Sequence, residues 1–422
     1  MNSVLNFSYI YVFIRIMAEK VLKVGILRET KTPPDRRVAV TPTLASELIQ
    51  KFPNVDLRIQ SSEMRCFSDE EYKQAGAELV DDVSKCDILI GVKEVDIPAL
   101  ISKKTYLFFS HTAKEQPYNR ELLQQIVRKK ITLIDYEYLT NTKNQRLVAF
   151  GRWAGIVGAY NGLRAWGKRF QTYNLIPAHE CHDLKEMHRE LEKVLLPPIK
   201  ILLTGGGRVA NGAMETLAPL HYKIVSPADF LSKDFGEPVI CRIDPDQYVK
   251  RKDNSAFDLD HFFENPAEYE SAFYPFTQVT DLFIPCHFWD PKSPVFMTPE
   301  SMQEEAFKMQ VIADVSCDIK EPIPSTLRAS TIADPFYGFD PSTGMETQPF
   351  KNESITIMAV DNLPGELPRD ASEDFGEALL NNVFPSLFGE DSDGIIERAT
   401  IVKNGDLTER YSYLQDYLEG KN

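Results

Sequence analysis

The sequence is poor in cysteine, and its six cysteines follow none of the spacings that metal or redox motifs require. It has no CxxC pair and no cysteine–histidine series of the zinc-site type. Several cysteines lie in apolar runs such as VICRI and FIPCHF, where a buried free thiol behaves as a small hydrophobic residue. These features predict a cytoplasmic protein with reduced cysteines and no bound metal, although spacing alone leaves a disulfide open.

The chain also lacks an excess of basic residues and any long apolar segment. Its 47 lysines and arginines are outnumbered by 62 aspartates and glutamates, which gives a net charge of -15. Nucleic acids and anionic lipids both require a basic face, so we expect neither as a partner. The apolar residues 1–16 are too short to span a bilayer, and no small-residue cleavage site follows them. We expect residues 1–16 to be an unstructured extension and Met17 to be the more natural start.

Length and patterning predict an α/β protein of two or three domains. A chain of 422 residues is too long for one ordinary domain, and 43% hydrophobic residues supply sizeable cores. In the first half, strand-like runs such as LKVGILRE and DLRIQ alternate with helical patterns such as TPTLASELIQKF, in which Thr41 caps and Pro42 opens the helix. This alternation is typical of βαβ units and parallel sheets.

Candidate chemistry lies between Asp87 and Gln116. The apolar runs DILIGV and TYLFFS predict two buried parallel strands, which are followed by Lys93-Glu94 and by His111, with Lys114 close behind. Ligands bind at the carboxyl ends of such strands, so these side chains could face one substrate as an acid–base pair. Taken singly, the same residues would more simply be a solvated lysine and a structural histidine. The next strand, ITLIDYEYL, brings Asp135 and Glu137 to the same edge.

The second half opens with a dinucleotide-binding pattern. A helix with Gly155, Gly158 and Gly162 predicts close helix packing, and residues 171–198 read as polar and helical. IKILLTGGGRVANGAMETLAPL then runs from strand through glycines to helix, and its G-x-G-x-x-A consists of Gly205, Gly207 and Ala210. The backbone can approach a pyrophosphate at the helix N-terminus, so the adjoining Arg208 and Val209 are also predicted to contact the cofactor.

The residue that would bind the ribose is less regular. Asp244 ends the strand VICRID, but it lies farther from the glycines than the usual spacing of ~20 residues, because SPADFLSKDFGE is inserted. Asp244 would favour NAD, and NADP stays open. Residues 245–278 are predicted to be a surface insertion without a chemical signature. His287 and Asp314, at later strand ends, either cap those ends or contact the cofactor.

The motifs in order resemble a known family. GILRETKTPPDRRVAVTP, GVKEV, FFSHTAKEQ, IDYEYL and VAFGRWAGIVGA resemble the N-terminal half of the alanine dehydrogenase and transhydrogenase superfamily. DVSCDI and VDNLPGELPRDASEDF resemble its saccharopine dehydrogenase branch, the NAD-dependent, lysine-forming kind. The resemblance implies two Rossmann-like domains with an interdomain cleft. Residues 17–152 and about 365–422 would form the substrate domain, and residues 153–364 the dinucleotide-binding domain.

The resemblance also implies an activity and a set of roles. Such enzymes oxidise the secondary amine saccharopine with NAD and release lysine and 2-oxoglutarate. By the resemblance, Lys93 and His111 are the acid–base pair; the predicted substrate-side residues are Arg37, Glu94, Lys114, Glu137 and Arg146. Asp361 would lie beside the nicotinamide, with Leu363 next to it. Lysine can serve near neutral pH only if its pKa is lowered.

Two departures from the family keep alternatives open. Thr204 stands where the branch starts its glycines, and the insertions after the first nucleotide helix fall where the adenosine end should bind. A related opine or alanine dehydrogenase with another amine and 2-oxo acid is one alternative, and a non-catalytic ligand-binding homologue is another. The sequence allows a monomer or a homodimer.

Overall fold

The computed structural model describes residues 21–32 and 35–421, so the extension predicted at 1–16 lies outside the described residues. The chain forms two compact units. Unit 1 takes the described residues of Met1–Ala149 and of Pro368–Asn422, and unit 2 takes Phe150–Leu367. In the described ranges, none of the helices combines the length and apolarity needed to cross a membrane.

The first segment of unit 1 alternates strands and helices. Its strands are β1 (Leu22–Ile26), β2 (Val55–Gln60), β3 (Glu78–Val80), β4 (Ile88–Ile90), β5 (Thr105–Phe108) and β6 (Thr132–Asp135). Its helices are α1 (Pro42–Lys51), α2 (Asp69–Gln74) and α3 (Arg120–Arg128), with 3-10 turns at Ile97–Ala99, Thr112–Lys114, Pro117–Asn119 and Tyr136–Tyr138. The predicted start of α1 is confirmed, because the Thr41 side chain accepts the N–H of Leu44 and Pro42 follows it.

Unit 2 contains the remaining large sheet. Its strands are β7 (Lys200–Thr204), β8 (Lys223–Ile224), β9 (Val239–Ile243), β10 (Val249–Arg251), β11 (Tyr269–Ser271), β12 (Leu282–Pro285), β13 (Val311–Ala313), β14 (Phe336–Asp340), β15 (Met345–Thr347) and β16 (Ile355–Met358). Its helices are α4 (Gly151–Phe170), α5 (Leu184–Leu191), α6 (Arg208–Leu217), α7 (Pro227–Ser232), α8 (Pro245–Tyr248), α9 (Leu259–Glu264) and α10 (Tyr274–Thr277), with 3-10 turns at Ala178–Glu180, Pro266–Glu268, Ser301–Gln303 and Leu363–Glu366. The prediction that residues 171–198 are helical throughout is wrong, since only α5 and one 3-10 turn form there.

The chain then returns to unit 1. This segment contains α11 (Pro368–Asn382), α12 (Phe384–Phe388), α13 (Ile395–Ala399), β17 (Thr400–Lys403), β18 (Asp406–Leu407), a 3-10 turn at Glu409–Leu414 and α14 (Gln415–Glu419). Helix α11 packs closely on the first segment, because a Cβ on Gly376 would lie 2.4 Å from the side chain of Leu44.

Both large sheets are mainly parallel, which confirms the predicted α/β fold class. The unit 1 sheet has the order β18-β17-β6-β5-β4-β1-β2-β3, and β17 is antiparallel to β6. The unit 2 sheet has the order β15-β14-β16-β13-β12-β7-β9-β8, with antiparallel pairing only where β14 meets β16 and β15. Central strands β4 and β7 are buried along their whole length, as continuous apolar runs in parallel sheets should be.

The glycines of α4 confirm the predicted close helix packing. A Cβ on Gly155 would lie 1.8 Å from the carbonyl oxygen of Val209, and one on Gly212 would lie 2.0 Å from that of Arg152. The backbones of α4 and α6 therefore touch, which only glycine permits at these two points. The contact fixes α6, whose N-terminus carries the glycine loop.

The prediction of a surface insertion at 245–278 is only partly right, because many of its side chains are exposed whereas several aromatic ones are buried. Its hairpin β10–β11 and flanking turns bury aromatic side chains within one core cluster of unit 2; these are Tyr248, Phe262, Tyr269, Phe273 and Phe276. Aromatic side chains of this size contribute strongly to a core, so the insertion is an integral part of unit 2.

Candidate functional site

The ends of β4 and β5 lie side by side in unit 1. The two strands pair in parallel, with Ile90 opposite Leu107. The pairing continues past the strand ends, where the N–H of Phe109 donates to the carbonyl of Val92 at 3.0 Å. Lys93 and His111 thus follow neighbouring strands whose ends are held together.

Glu94 links His111 to Lys31. Its Oε1 lies 2.6 Å from Nδ1 of His111, and its Oε2 lies 2.8 Å from Nζ of Lys31. Burial acts to raise the pKa of Glu94, but the hydrogen bonds to His111 and Lys31 outweigh it and bring the pKa down to about 2. His111 has left-handed backbone angles (φ 54°, ψ 9°), a conformation uncommon for a residue with a Cβ.

Lys93 is half-buried beside several charges. Burial lowers its pKa below the ordinary value, and the positive charges of Arg37 and Lys31 lower it further. Asp35 and Glu94 act in the opposite direction, but they do not reverse the shift. A lysine with a lowered pKa is better suited to exchange protons near neutral pH.

Arg37 forms a buried ion pair with Asp35. Its Nη2 lies 2.6 Å from Oδ2 of Asp35, and each side chain is only 3% exposed. Burial would raise the pKa of Asp35, but the Arg37 charge and hydrogen bonds hold it well below its usual range. The predicted substrate cation is therefore already paired with a carboxylate of its own segment.

The end of β6 carries the other predicted acidic residue. Glu137 pairs with Lys114, with Oε1 and Nζ 2.9 Å apart. Asp135 accepts hydrogen bonds from the N–H groups of Ser110 and Glu137, and burial raises its pKa. These bonds tie the β6 end to the segment that carries His111. Arg146 is half-buried in the following loop, where it forms a β-bridge with Thr140.

In unit 2 the glycine loop joins the end of β7 to the start of α6. Gly205 has φ +98°, and a Cβ there would lie 2.9 Å from the carbonyl oxygen of Cys286, so glycine is required. Gly207 caps the N-terminus of α6, and no described atom lies within 4 Å of the position that its Cβ would occupy. The N-terminus of α6 is thus approachable at Gly207. Arg208 is exposed, whereas the Val209 side chain packs 3.4 Å from the Cβ position of Gly151 on α4.

Asp244 lies directly beside this loop. A Cβ on Gly206 would be 2.8 Å from Oδ1 of Asp244, which follows β9, the strand next to β7. The long spacing from the glycines arises because β8 and α7 precede β9 in the chain. Arg242 stands close by, with Nη2 3.9 Å from Asp244 and Nη1 3.1 Å from Oδ1 of Asn211.

His287 and Asp314, which follow later strands of unit 2, are both buried. His287 is buried, its Nδ1 lies 2.8 Å from the Thr204 hydroxyl oxygen, and burial lowers its pKa to about 3. Its Nε2 is also buried and has no hydrogen-bond partner in the described part of the chain. Asp314 caps its own loop by accepting from Ser316, Cys317 and Thr326.

Asp361 and Leu363 differ in exposure. Asp361 is exposed after β16. Leu363 is only 2% exposed and packs toward α4, with Cδ1 3.4 Å from the Cβ position of Gly158. The side chain of Leu363 therefore serves packing within unit 2.

Sequence reasoning missed the residues that follow β1. Glu29, Lys31 and Asp35 all take part in the contacts around Lys93 and Glu94. The signal was available, because the carboxyl end of β1 lies at the same sheet edge as those of β4 and β5. Arg242, next to Asp244, was missed in the same way.

Comparison with known proteins identifies relatives over most of the chain. Residues 25–157 match the family model "Alanine dehydrogenase/PNT, N-terminal domain". The chain is 28% identical to the alpha-aminoadipic semialdehyde synthase of Arabidopsis thaliana, over 93% of this chain and 41% of that protein. It is 28% identical to the saccharopine dehydrogenase [NAD(+), L-lysine-forming] of Neurospora crassa, over 84% of this chain and 88% of that protein. These matches confirm the resemblance predicted from the motifs, although the chain spans only about two fifths of the length of the semialdehyde synthase.

Solved structures show the same fold. An L-alanine dehydrogenase superposes with a TM-score of 0.66 at 17% identity, covering 95% of this chain and 100% of that one. The transhydrogenase from Sinorhizobium meliloti superposes with a TM-score of 0.57 at 14% identity, covering 92% of this chain and 98% of that one. At these identities the likeness establishes the fold alone.

Proposed function

We propose, from the premise that residues 25–157 carry the alanine dehydrogenase/PNT N-terminal domain, that this protein is a NAD-dependent dehydrogenase of the saccharopine type. In the reductive direction it would join lysine to 2-oxoglutarate, and in the oxidative direction it would release them. The Neurospora crassa relative, which the chain covers over 88% of its length, is named as lysine-forming, and this name supports lysine as the amine.

The observation that carries the proposal is the arrangement at the ends of β4 and β5. Lys93, with its lowered pKa, adjoins Glu94, whose carboxylate holds His111 at 2.6 Å. Joining an amine to a 2-oxo acid requires protons to be removed from the amine and delivered to the departing oxygen. Two groups able to exchange protons, which follow the paired strands β4 and β5, meet that requirement.

Unit 2 has the features to hold the dinucleotide. Gly205 and Gly207 permit close backbone approach at the start of α6, and Asp244 beside Gly206 can accept hydrogen bonds from ribose hydroxyls. A bound nicotinamide cofactor would supply the hydride. The proximity of Arg242 to Asp244 favours NADP as the second candidate cofactor, because guanidinium groups bind a 2′-phosphate.

The substrate-side cations are proposed to be Arg37, Lys114 and Arg146, with Glu94 and Glu137 as acidic members of the same site in unit 1. Asp361, in unit 2, is proposed as a cofactor residue beside the nicotinamide. A substrate with several carboxylates calls for bidentate arginine partners. A carboxylate at Arg37 would have to share the guanidinium with Asp35. The partners would then be an amino acid and a 2-oxo acid, with the protein a monomer or homodimer. A cytoplasmic location stays a prediction, since the alpha-aminoadipic semialdehyde synthase of Mus musculus, which is 29% identical to this chain, is named as mitochondrial.

The experiment is a spectrophotometric panel. Loss of NADH and of NADPH would be followed with 2-oxoglutarate against lysine, ornithine and ammonia, and with pyruvate against the same amines. Turnover confined to lysine with 2-oxoglutarate supports the proposal. Preference for ammonia with pyruvate would identify an alanine dehydrogenase, another amine would identify an opine dehydrogenase, and dinucleotide binding without turnover would identify a non-catalytic homologue.

A further inference from the structure

Glu29 joins two parts of unit 1 that are far apart in the sequence. It lies three residues after β1, and both of its carboxylate oxygens accept hydrogen bonds from the loop after β4. Oε1 accepts the N–H of Val92 at 2.7 Å, and Oε2 accepts the N–H of Lys93 at 2.8 Å. One side chain therefore binds the backbone of the predicted proton-transfer residue.

The same loop is fixed from its other side. The hydroxyl of Tyr136 donates to the carbonyl of Gly91 at 2.9 Å, and the N–H of Phe109 donates to that of Val92 at 3.0 Å. Strand β5 and the turn after β6 thus hold the carbonyl groups, and Glu29 holds the N–H groups. Burial raises the pKa of Glu29 to about 7, which reflects how fully the carboxyl group is enclosed.

We infer that Glu29 is a positioning residue, which orients Lys93 by fixing the backbone N–H groups of Val92 and Lys93. The inference rests on the proposed function for the role of Lys93, but the clamp itself is independent of it. Without Glu29 the two N–H groups lose their acceptor, and the Lys93 Cα is free to shift. A displacement of about 1 Å at a reacting group can cost about 100-fold in rate.

The test compares Glu29→Ala and Glu29→Gln with Tyr106→Phe. Glutamine keeps one acceptor oxygen, so it should rescue part of the effect. Tyr106 is a matched control because its buried hydroxyl accepts the N–H of Ile101 at 2.8 Å, near the end of β5 that is remote from His111. Its substitution costs unit 1 one buried hydrogen bond without touching the Lys93 loop.

Three readouts would be taken on the full chain: residue-resolved amide hydrogen exchange, kcat and KM for the preferred substrates, and the Kd for NADH. For Glu29→Ala we expect exchange at Val92 and Lys93 to accelerate at least about tenfold relative to Leu89, and kcat to fall about 10- to 100-fold. In amide exchange and in kcat, Glu29→Gln should lie between Glu29→Ala and the wild type. The Kd for NADH should stay unchanged in both variants. Tyr106→Phe should keep kcat within about twofold at a similar loss of stability.

Unchanged exchange at Val92 and Lys93 in both Glu29 variants would overturn the inference, as would equal kcat losses in Tyr106→Phe and Glu29→Ala. If Glu29→Ala does not fold, Glu29→Gln decides by the same criteria. Absence of turnover in the wild type would refute the proposed function instead, and the exchange rates would still decide whether Glu29 holds the loop.

Discussion

Nδ1 of His111 lies 2.6 Å from Oε1 of Glu94, and the second oxygen of the same carboxylate lies 2.8 Å from Nζ of Lys31. The two contacts outweigh the effect of burial and lower the pKa of Glu94 to about 2. Glu94 is therefore an anion at neutral pH. Its ionised form supports the native state of unit 1.

Glu94→Gln is expected to reduce stability in a pH-dependent way. The native pKa lies below the ordinary 4.5, so the contribution is fully present above pH 4.5 and is lost as the pH falls toward 2. The shift corresponds to about 3 kcal/mol of unfolding free energy at pH 7. In urea unfolding at pH 7, 5 and 3, the unfolding free energies of the wild type and the variant should converge as the pH falls. Glu63→Gln, at an exposed glutamate of unit 1, is the control; a gap that stays constant with pH would contradict the prediction.

Lys93→Met is expected to abolish most turnover. Methionine keeps the length and packing of the side chain but cannot exchange a proton, and such groups contribute about 10²- to 10⁴-fold to rate. The Kd for NADH should stay the same, because the glycine loop belongs to unit 2. Stopped-flow rates and calorimetry measure the two effects. Lys85→Met, at an exposed lysine of unit 1, should leave both values unchanged; wild-type kcat in Lys93→Met would remove the residue from the acid–base role.

Gly207→Val is expected to block the dinucleotide without harming the fold. Apart from its chain neighbours, no described atom lies within 4 Å of the Cβ position of Gly207, and its φ of -88° suits any residue. Valine is a poorer N-cap than glycine, so the unfolding free energy should fall by about 1 kcal/mol. The added side chain would occupy the approach of the pyrophosphate, and steric overlap of about 1–3 kcal/mol corresponds to a roughly 5- to 150-fold higher Kd. Gly236→Val is the matched control, because its Cβ would also meet open space. Equal NADH affinity in the two variants would place the cofactor elsewhere.

Local patterns in the sequence were sufficient to predict much of the fold. Buried runs such as Ile88–Ile90 and Lys200–Thr204 are strands because continuous apolar residues in a parallel sheet are covered on both faces. The strand β17 was missed, since a short run at Thr400–Lys403 becomes a strand only by pairing with β6, far away in the chain. The aromatic insertion was misjudged because its buried residues follow no helical or alternating period.

The residues of the candidate site were likewise predictable only in part. Lys93 and His111 were predictable from their position after strands, a purely local signal. Glu29 also follows a strand, β1, but its contacts were not predictable, because they are hydrogen bonds to residues 63 and 64 positions later. The Arg37–Asp35 pair was missed for another reason: the resemblance assigned Arg37 to the substrate, and burial was not visible in the sequence.

Arg37→Ala is expected to destabilise unit 1 strongly. Removal of the guanidinium takes the Arg37 charge away from the buried Asp35 carboxylate, and breaking a buried ion pair in this way typically costs about 3–5 kcal/mol. The double variant Asp35→Asn/Arg37→Gln removes both charges and should cost clearly less than the sum of its single variants. Urea unfolding of the wild type, Asp35→Asn, Arg37→Gln and the double variant gives the four unfolding free energies of a double-mutant cycle. Strictly additive losses of unfolding free energy would show that the pair is not coupled. The KM for 2-oxoglutarate should rise in Arg37→Gln if the guanidinium also contacts substrate.

Glu29→Gln is expected to show the opposite pH dependence from Glu94→Gln. The native pKa of Glu29 is raised from 4.5 to about 7, so the native state disfavours its ionisation, and wild-type stability falls as the pH rises between these values. Glutamine is neutral at every pH and avoids this loss. The stability of Glu29→Gln relative to the wild type should therefore increase by about 3 kcal/mol between pH 4.5 and pH 8, as measured by urea unfolding. A relative stability that is flat or decreasing over this range would contradict the burial of the carboxyl group. If the stability of Glu29→Gln relative to the wild type rises with pH while its kcat falls, the effect of Glu29 on stability is separated from its role in positioning Lys93. A residue retained for stability alone would not show both changes.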